Sequence, residues 1–194
     1  IMPKHMSKVK FLSKNNYEHV AMACYQRSGS TLLRKYLENL TRIYTGSDGD
    51  VKTHLDKQLF KIGLAGESIL GNKVWIAQTN FPEETGIART FVNKCVLVVR
   101  NPMDSIYSFF NMMVTNSLDK KLDEEDMERL HECWDEFLRQ EITIWRKFHE
   151  YWMLEPLIST YIVRHEDLVE NPRSTLTGLF KFLLNTDSIS DTLI

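Results

Sequence analysis

The chain has 194 residues, 43% of them hydrophobic and 26% charged, with a net charge of −2. These values suit one α/β domain with a sizeable core, and a single domain over residues 1–194 is expected, with truncation at its C-terminus left open. The charge balance excludes a broad basic footprint, so neither nucleic acid nor an anionic membrane surface is an expected partner. A local anion site stays compatible, because it needs only a few basic groups and backbone amides.

Cys24, Cys95 and Cys133 have no metal-ligand spacing, so no metal is expected, and any disulfide scheme leaves one thiol over. Cys24 and Cys95 sit in apolar, strand-like runs where buried free thiols are common. A reducing, cytoplasmic compartment is therefore favoured, with the Golgi lumen open if the chain is a fragment. No stretch approaches ~18 uninterrupted apolar residues, so no membrane span is expected. No secretory leader is read either. Asn39-Leu40-Thr41 is a glycosylation sequon, but its place within a helix argues against its use.

In chain order, the first strand is expected over His19 to Tyr25, and a helix from about Ser30 to Tyr44. Leu32, Leu33, Tyr36, Leu37, Leu40, Ile43 and Tyr44 follow the rhythm of one buried helical face. A Gly/Asp-rich turn, Gly46 to Asp50, ends that unit, and a poorly patterned region runs to about Lys73. Val74 to Gln78 and Val96 to Arg100 are continuous apolar runs of strand length, which points to a parallel sheet buried on both faces. One long helix is expected from Glu124 to Tyr151, its apolar stripe broken by Glu141. A strand over Thr160 to Arg164 follows, then a helix with Asn171 as N-cap and Pro172 at its first position. Strands alternating with helices imply a three-layer α/β sandwich, a central parallel sheet flanked by helices.

Ligands bind such sheets at the carboxyl ends of strands, near helix N-termini. Tyr25-Gln26-Arg27-Ser28-Gly29-Ser30-Thr31 falls at such a place. Gly29 permits close approach of the backbone to an anion, the hydroxyls of Ser28, Ser30 and Thr31 can donate to its oxygens, and Arg27 adds a cation. The competing reading is local: Ser28 or Ser30 caps the helix and Arg27 lies on the surface. On this pattern alone the two readings balance. The segment has neither the spacing of a nucleotide P-loop nor that of a dinucleotide fingerprint. A phosphatase-type loop beginning at Cys24 would need an arginine where Ser30 stands. A second segment tips the balance. The strand ending at Arg100 runs into Asn101-Pro102, and Ser108 sits about two turns into the next helix, where it can join Arg100 on a second anion.

Together these segments resemble the sulfotransferase family, whose donor is 3′-phosphoadenosine 5′-phosphosulfate (PAPS). Tyr25 to Leu33 is similar to its 5′-phosphosulfate loop, in the Arg-Ser-Gly form of the carbohydrate and tyrosylprotein branches. Arg100-Asn101-Pro102 with Ser108 is similar to its 3′-phosphate motif, and Arg164-His165-Glu166-Asp167-Leu168 to its Arg-aromatic-Glu-Asp-Leu segment, with histidine for the aromatic. The resemblance implies a P-loop-like fold that binds PAPS or its product 3′,5′-adenosine bisphosphate (PAP). Arg27, Ser28, Gly29, Ser30 and Thr31 would hold the 5′-phosphosulfate, and Arg100 and Ser108 the 3′-phosphate. Arg27 would also face charge developing on the leaving phosphate.

The pattern departs at the catalytic tripeptide. Many members place Lys-Thr-His after the strand preceding the 3′-phosphate strand, the histidine deprotonating a hydroxyl acceptor. Here Gln78 and Asn80 stand in those places, and a carboxamide is no general base. Lys52-Thr53-His54 carries the tripeptide too early, which makes His54, with Glu67, Glu83 and Glu84, a substitute acid or base to test, while His149 and His165 read as capping or surface groups. Three outcomes stay open: an enzyme with another base and an unidentified hydroxyl acceptor, a donor-binding pseudoenzyme, and an inactive structural subunit with protein partners in a larger assembly.

Overall fold

The computed structural model describes residues 8–13, 18–49, 54–80, 82, 92–154 and 157–190. Five parallel strands form one sheet: β1 (His19–Cys24), β2 (Gly46–Ser47), β3 (Ile76–Thr79), β4 (Val92–Val99) and β5 (Ser159–Arg164), in the order β2-β3-β1-β4-β5. Seven α-helices are described: α1 (Ser30–Thr41), α2 (His54–Lys61), α3 (Pro102–Thr115), α4 (Glu124–Arg129), α5 (His131–Leu154), α6 (His165–Glu170) and α7 (Pro172–Leu184). None of the described helices is long and apolar enough to cross a membrane.

The central strands are apolar on both faces because both faces are covered. Val20, Met22 and Cys24 of β1, with Val96 and Val98 of β4, pack on Leu33 and Leu37 of α1 and on Leu179 and Phe180 of α7. The alternate positions, Ala21, Ala23, Cys95 and Leu97, pack with Tyr25 on Ile106 of α3 and Phe148 and Trp152 of α5. This is the three-layer sandwich expected from the strand–helix alternation. Each core side chain of this size contributes about 1.5–3 kcal/mol when fully buried.

Four local expectations are corrected. Gly46–Ser47, read as turn, is an edge strand: Gly46 pairs with Ala77 and Ser47 with Gln78. Turn-forming composition yields there to pairing with β3. The inner face of α1 carries Leu33, Arg34, Leu37 and Glu38, while Leu40 of the expected stripe is exposed. The long helix is interrupted at Leu130, whose φ of −104° and ψ of 13° leave the helical region. There the His131 ring Nδ1 bonds the Glu128 carbonyl at 2.8 Å, and the backbone ladder resumes from Trp134 to Leu130. Asn171 stands before Pro172 as expected, but its side chain makes no capping bond. Its N–H donates to Asp167 at the end of α6 and its carbonyl accepts from Thr175, so the two helices are joined through its backbone.

The polar intruder Glu141 has a structural reason. Its carboxylate accepts the buried Tyr25 hydroxyl at 2.5 Å and so ties the end of β1 to α5. The loop that follows Tyr25 leaves the sheet from a fixed point.

Candidate anion site at the strand ends

After β1 the chain turns tightly. The Ser28 N–H donates to the Tyr25 carbonyl at 3.2 Å, and Arg27 and Gly29 both take left-handed conformations, with φ of 61° and 99°. Helix α1 then starts at Ser30 with Gly29 in the N-cap position and no side-chain cap. The reading in which Ser28 or Ser30 merely caps the helix therefore fails. The N–H groups of the first turn have no intrahelical acceptor and point out of the helix end, where anions are stabilised.

Two orphaned polar atoms flank this turn. Ser28 is fully buried and its hydroxyl has no hydrogen-bond partner among the described residues. His165 Nδ1, at the start of α6, is also buried and unpartnered. Gly29 separates them closely: a Cβ built on it meets the His165 ring, 3.0 Å from Cε1 and nearer still to Nδ1. Burial, then the Arg100 charge, hold the His165 imidazole below its usual pKa against the pull of Glu166 and Asp104, so it is neutral at pH 7. Leaving such groups unsatisfied costs about 1–3 kcal/mol each.

The second segment is built on β4 and α3. Asn101 caps α3 by accepting the Met103 N–H at 2.9 Å, with Pro102 opening the helix. Arg100 and Ser108 are thereby presented toward the first loop. Arg100 donates from Nη1 to the Arg27 carbonyl at 2.9 Å. Arg27 donates from Nε to the Ser108 hydroxyl oxygen at 3.0 Å and from Nη2 to the Leu118 carbonyl at 2.8 Å. A cavity of ≈ 250 Å³ lies here, lined among others by Arg27, Arg100, Ser108, Asp104, Lys120 and Lys121. Burial and then the neighbouring Arg100 charge push the Arg27 guanidinium below its usual pKa, with Asp119 opposing. Two guanidiniums under mutual repulsion favour an added anion. The loop over Ser117 to Lys121, which completes this cavity, carried no sequence signal beyond its paired lysines.

Gln78 lies elsewhere in the polar order. Its Oε1 accepts from Arg34 Nη1 at 3.4 Å and its Nε2 donates to Asn80 Oδ1 at 3.5 Å. Arg34 is 1% exposed. It ion-pairs with Glu67 and donates to Thr45 Oγ1 at 2.8 Å and to the Thr45 carbonyl at 3.3 Å. Ser47 donates to the other Glu67 oxygen at 2.7 Å, and Thr45 to Glu38 at 2.8 Å. This network went unread in the sequence, although two charges four residues apart beside Leu33 and Leu37 signal it. Glu67 is thus an ion-pair partner rather than a free base.

The remaining acid–base candidates separate. His54 opens α2, but its side chain, residues 51–53, Glu83 and Glu84 lie outside the described residues. His149 is buried rather than on the surface: its Nδ1 bonds the Trp145 carbonyl at 2.7 Å, and burial lowers its pKa. His165 likewise packs beneath the loop instead of capping the surface.

The sulfotransferase domain profile matches residues 88–192, a span that includes Arg100, Ser108 and the Arg164–Leu168 segment. A WSCD family member of Aedes aegypti is 28% identical over 171 residues, which cover 88% of this chain and 52% of that protein. A WSCD family member of Drosophila melanogaster is 26% identical over 163 residues, 84% of this chain and 49% of the relative. The chain spans about half the length of the curated relatives it matches. In three dimensions it is similar to mouse sulfotransferase SULT7A1, solved in complex with PAP. The TM-score is 0.54 at 13% identity, over 93% of this chain and 62% of that one, a likeness of fold.

Proposed function

We propose, from the premise that this chain belongs to the sulfotransferase domain family, that it binds PAPS or PAP at the Arg27–Arg100 site and passes a sulfuryl group to a hydroxyl acceptor. The observation that carries the reading is the meeting of Arg27, Arg100 and Ser108 at one polar cavity, with a buried, unpartnered hydroxyl on Ser28, the residue after Arg27. The residues suit such a nucleotide. Ser28, Gly29, Ser30 and Thr31 would hold the 5′-phosphosulfate through hydroxyls and helix-end amides. Arg100 and Ser108 would hold the 3′-phosphate. Arg27, already fixed by Ser108 and Leu118, would face charge gathering on the leaving phosphate. The bound donor supplies the activated sulfuryl group. The mouse sulfotransferase of similar fold was solved with PAP, which is consistent with this ligand class.

Thermal unfolding with PAP tests the reading. At ~100 times its dissociation constant, the ligand adds ~2.7 kcal/mol of stability. At roughly 2–4 °C per kcal/mol for a domain of this size, the midpoint rises by about 5–11 °C. Arg100→Ala should abolish most of that rise. No shift in the wild-type protein, with Arg100→Ala behaving identically, rejects donor binding.

One observation favours a second reading, an inactive domain serving a larger assembly. Gln78, where the family pattern has a lysine, is tied to Arg34 and Asn80. PAP binding without labelled sulfate transfer to any of a panel of hydroxyl acceptors would select it.

A further inference from the structure

A second cavity, of ≈ 510 Å³, lies against β1 and β3, and nothing in the donor site uses it. Its walls are mostly apolar: Val20, Ala21, Val74, Trp75, Ala77 and Leu70. One end reaches His19 and Val92, which pair at the start of β1 and β4. The other end reaches Asp48, which directly follows β2 and donates its N–H to the Gln78 carbonyl at 3.1 Å. From the His19 row to the Ala23–Thr79 row beside Asp48, four strand residues span about 13 Å. The cavity is therefore mostly apolar, with His19 at one end and Asp48 at the other.

The Asp48 end is unsatisfied. Asp48 Oδ2 is buried and has no hydrogen-bond partner among the described residues. The carboxylate receives a hydrogen bond from the Thr79 side chain, which steadies it. The other polar wall groups differ: Gln78 is bonded to Arg34 and Asn80, and His19 and Asn72 have interactions of their own. Asp48 also sits at the strand-end side of the sheet from which Arg27 and Arg100 project. It lies two strand spacings, about 10 Å, from β1.

We propose that this cavity is the acceptor site, that it takes an elongated apolar alcohol or phenol, and that Asp48 receives the proton of its hydroxyl. The proposal rests on the reading of the domain as a donor-binding sulfotransferase. In the step assigned to Asp48, the acceptor O–H bond breaks and a carboxyl O–H bond forms. The electron pair stays on the acceptor oxygen, which becomes the nucleophile. Asn80 has no lone pair basic enough for this role. Burial raises the Asp48 carboxyl above its usual pKa, outweighing the bonds from Thr79 and from its own backbone, and so makes it a stronger base. A hydroxyl matches one open carboxylate oxygen in an apolar cavity, whereas an ammonium head would have to shed its hydration.

Binding of 4-octylphenol, followed by tryptophan fluorescence and thermal shift without any nucleotide, tests the site. The phenol should bind at least about tenfold more tightly than its methyl ether, the factor expected of a hydrogen bond to a charged group. Asp48→Asn should shrink that preference several-fold, and Leu70→Trp, which fills the cavity from its rim, should weaken both ligands. Octylamine binding more tightly than the phenol, or equal binding of phenol and ether, overturns the proposal. PAP is titrated into the same proteins. Phenol discrimination without PAP binding rejects the donor reading and keeps the cavity site, whereas PAP binding without phenol discrimination does the reverse. With labelled PAPS in place of PAP, sulfate transfer to the bound phenol, releasing PAP, should fall at least ~10²-fold in Asp48→Asn. Absence of transfer in the wild type refutes the role of Asp48 as base.

Discussion

Gly29→Ala tests whether the loop is held in its shape by one missing side chain. Two separable penalties are expected. The backbone there has φ of 99°, and an L-residue forced into the left-handed region loses about 1–2 kcal/mol. The new methyl also falls on the His165 ring, 3.0 Å from Cε1 and closer to Nδ1. Overpacking of that kind costs roughly 1–3 kcal/mol. The sum, about 2–5 kcal/mol, should appear in urea denaturation as a lower midpoint with an unchanged slope. His165→Ala in the same chain removes the second penalty and leaves the first. The double mutant should therefore be more stable than the two single effects add to, by about 1–3 kcal/mol. A Gly29→Ala protein within ~0.5 kcal/mol of wild type, or strict additivity with His165→Ala, would refute the packing of α6 beneath the loop.

Three further expectations follow from the polar interior and the thiols. Arg34→Met should destabilise the fold by about 3–5 kcal/mol, because it leaves Glu67 buried without its cation; urea unfolding measures it, and removal of the carboxylate as well by Glu67→Gln should restore part of the loss. Gln78→Lys, the change that restores the family's lysine, places an ammonium against Arg34, whose Nη1 is 3.4 Å from the present amide oxygen. It should lower stability by roughly 1–4 kcal/mol, and an unaltered unfolding midpoint would show that Arg34 does not face position 78. Titration with a thiol reagent should label Cys133 alone in the native protein and all three cysteines after denaturation. Cys24 and Cys95 are buried, and burial pushes the Cys95 thiol up to about 12, so its thiolate is scarce even at alkaline pH.

Much of the fold was legible because its signals are local. Val96 to Arg100 read as a doubly buried strand from its continuous apolar run and His19 to Tyr25 as a strand, and Pro102 and Pro172 marked helix starts through their fixed φ. The failures share a cause. Gly46–Ser47 has turn composition, and pairing with β3 makes it a strand. Leu130 lies in an unbroken helical pattern, and no residue type announces the interruption. Arg34 and Glu38 look like solvent-facing charges until Glu67, Thr45 and Gln78 are brought around them.

The candidate site divides in the same way. Residue type and order in the chain determined that Arg27 to Thr31 follows a strand and opens a helix, that Arg100 ends another strand with Ser108 about two turns into the next helix, and that positions 78 and 80 carry carboxamides. Those properties belong to short segments and survive without a fold. Only the tertiary structure decided that Arg27 is fixed on Ser108 and Leu118, that Arg100 holds the loop by its carbonyl, and that Ser28 is buried instead of capping α1. It also set Asp48 at one end of a mostly apolar cavity. These depend on contacts between segments far apart in the chain, where burial and neighbouring charge, not residue identity, determine what a side chain can do.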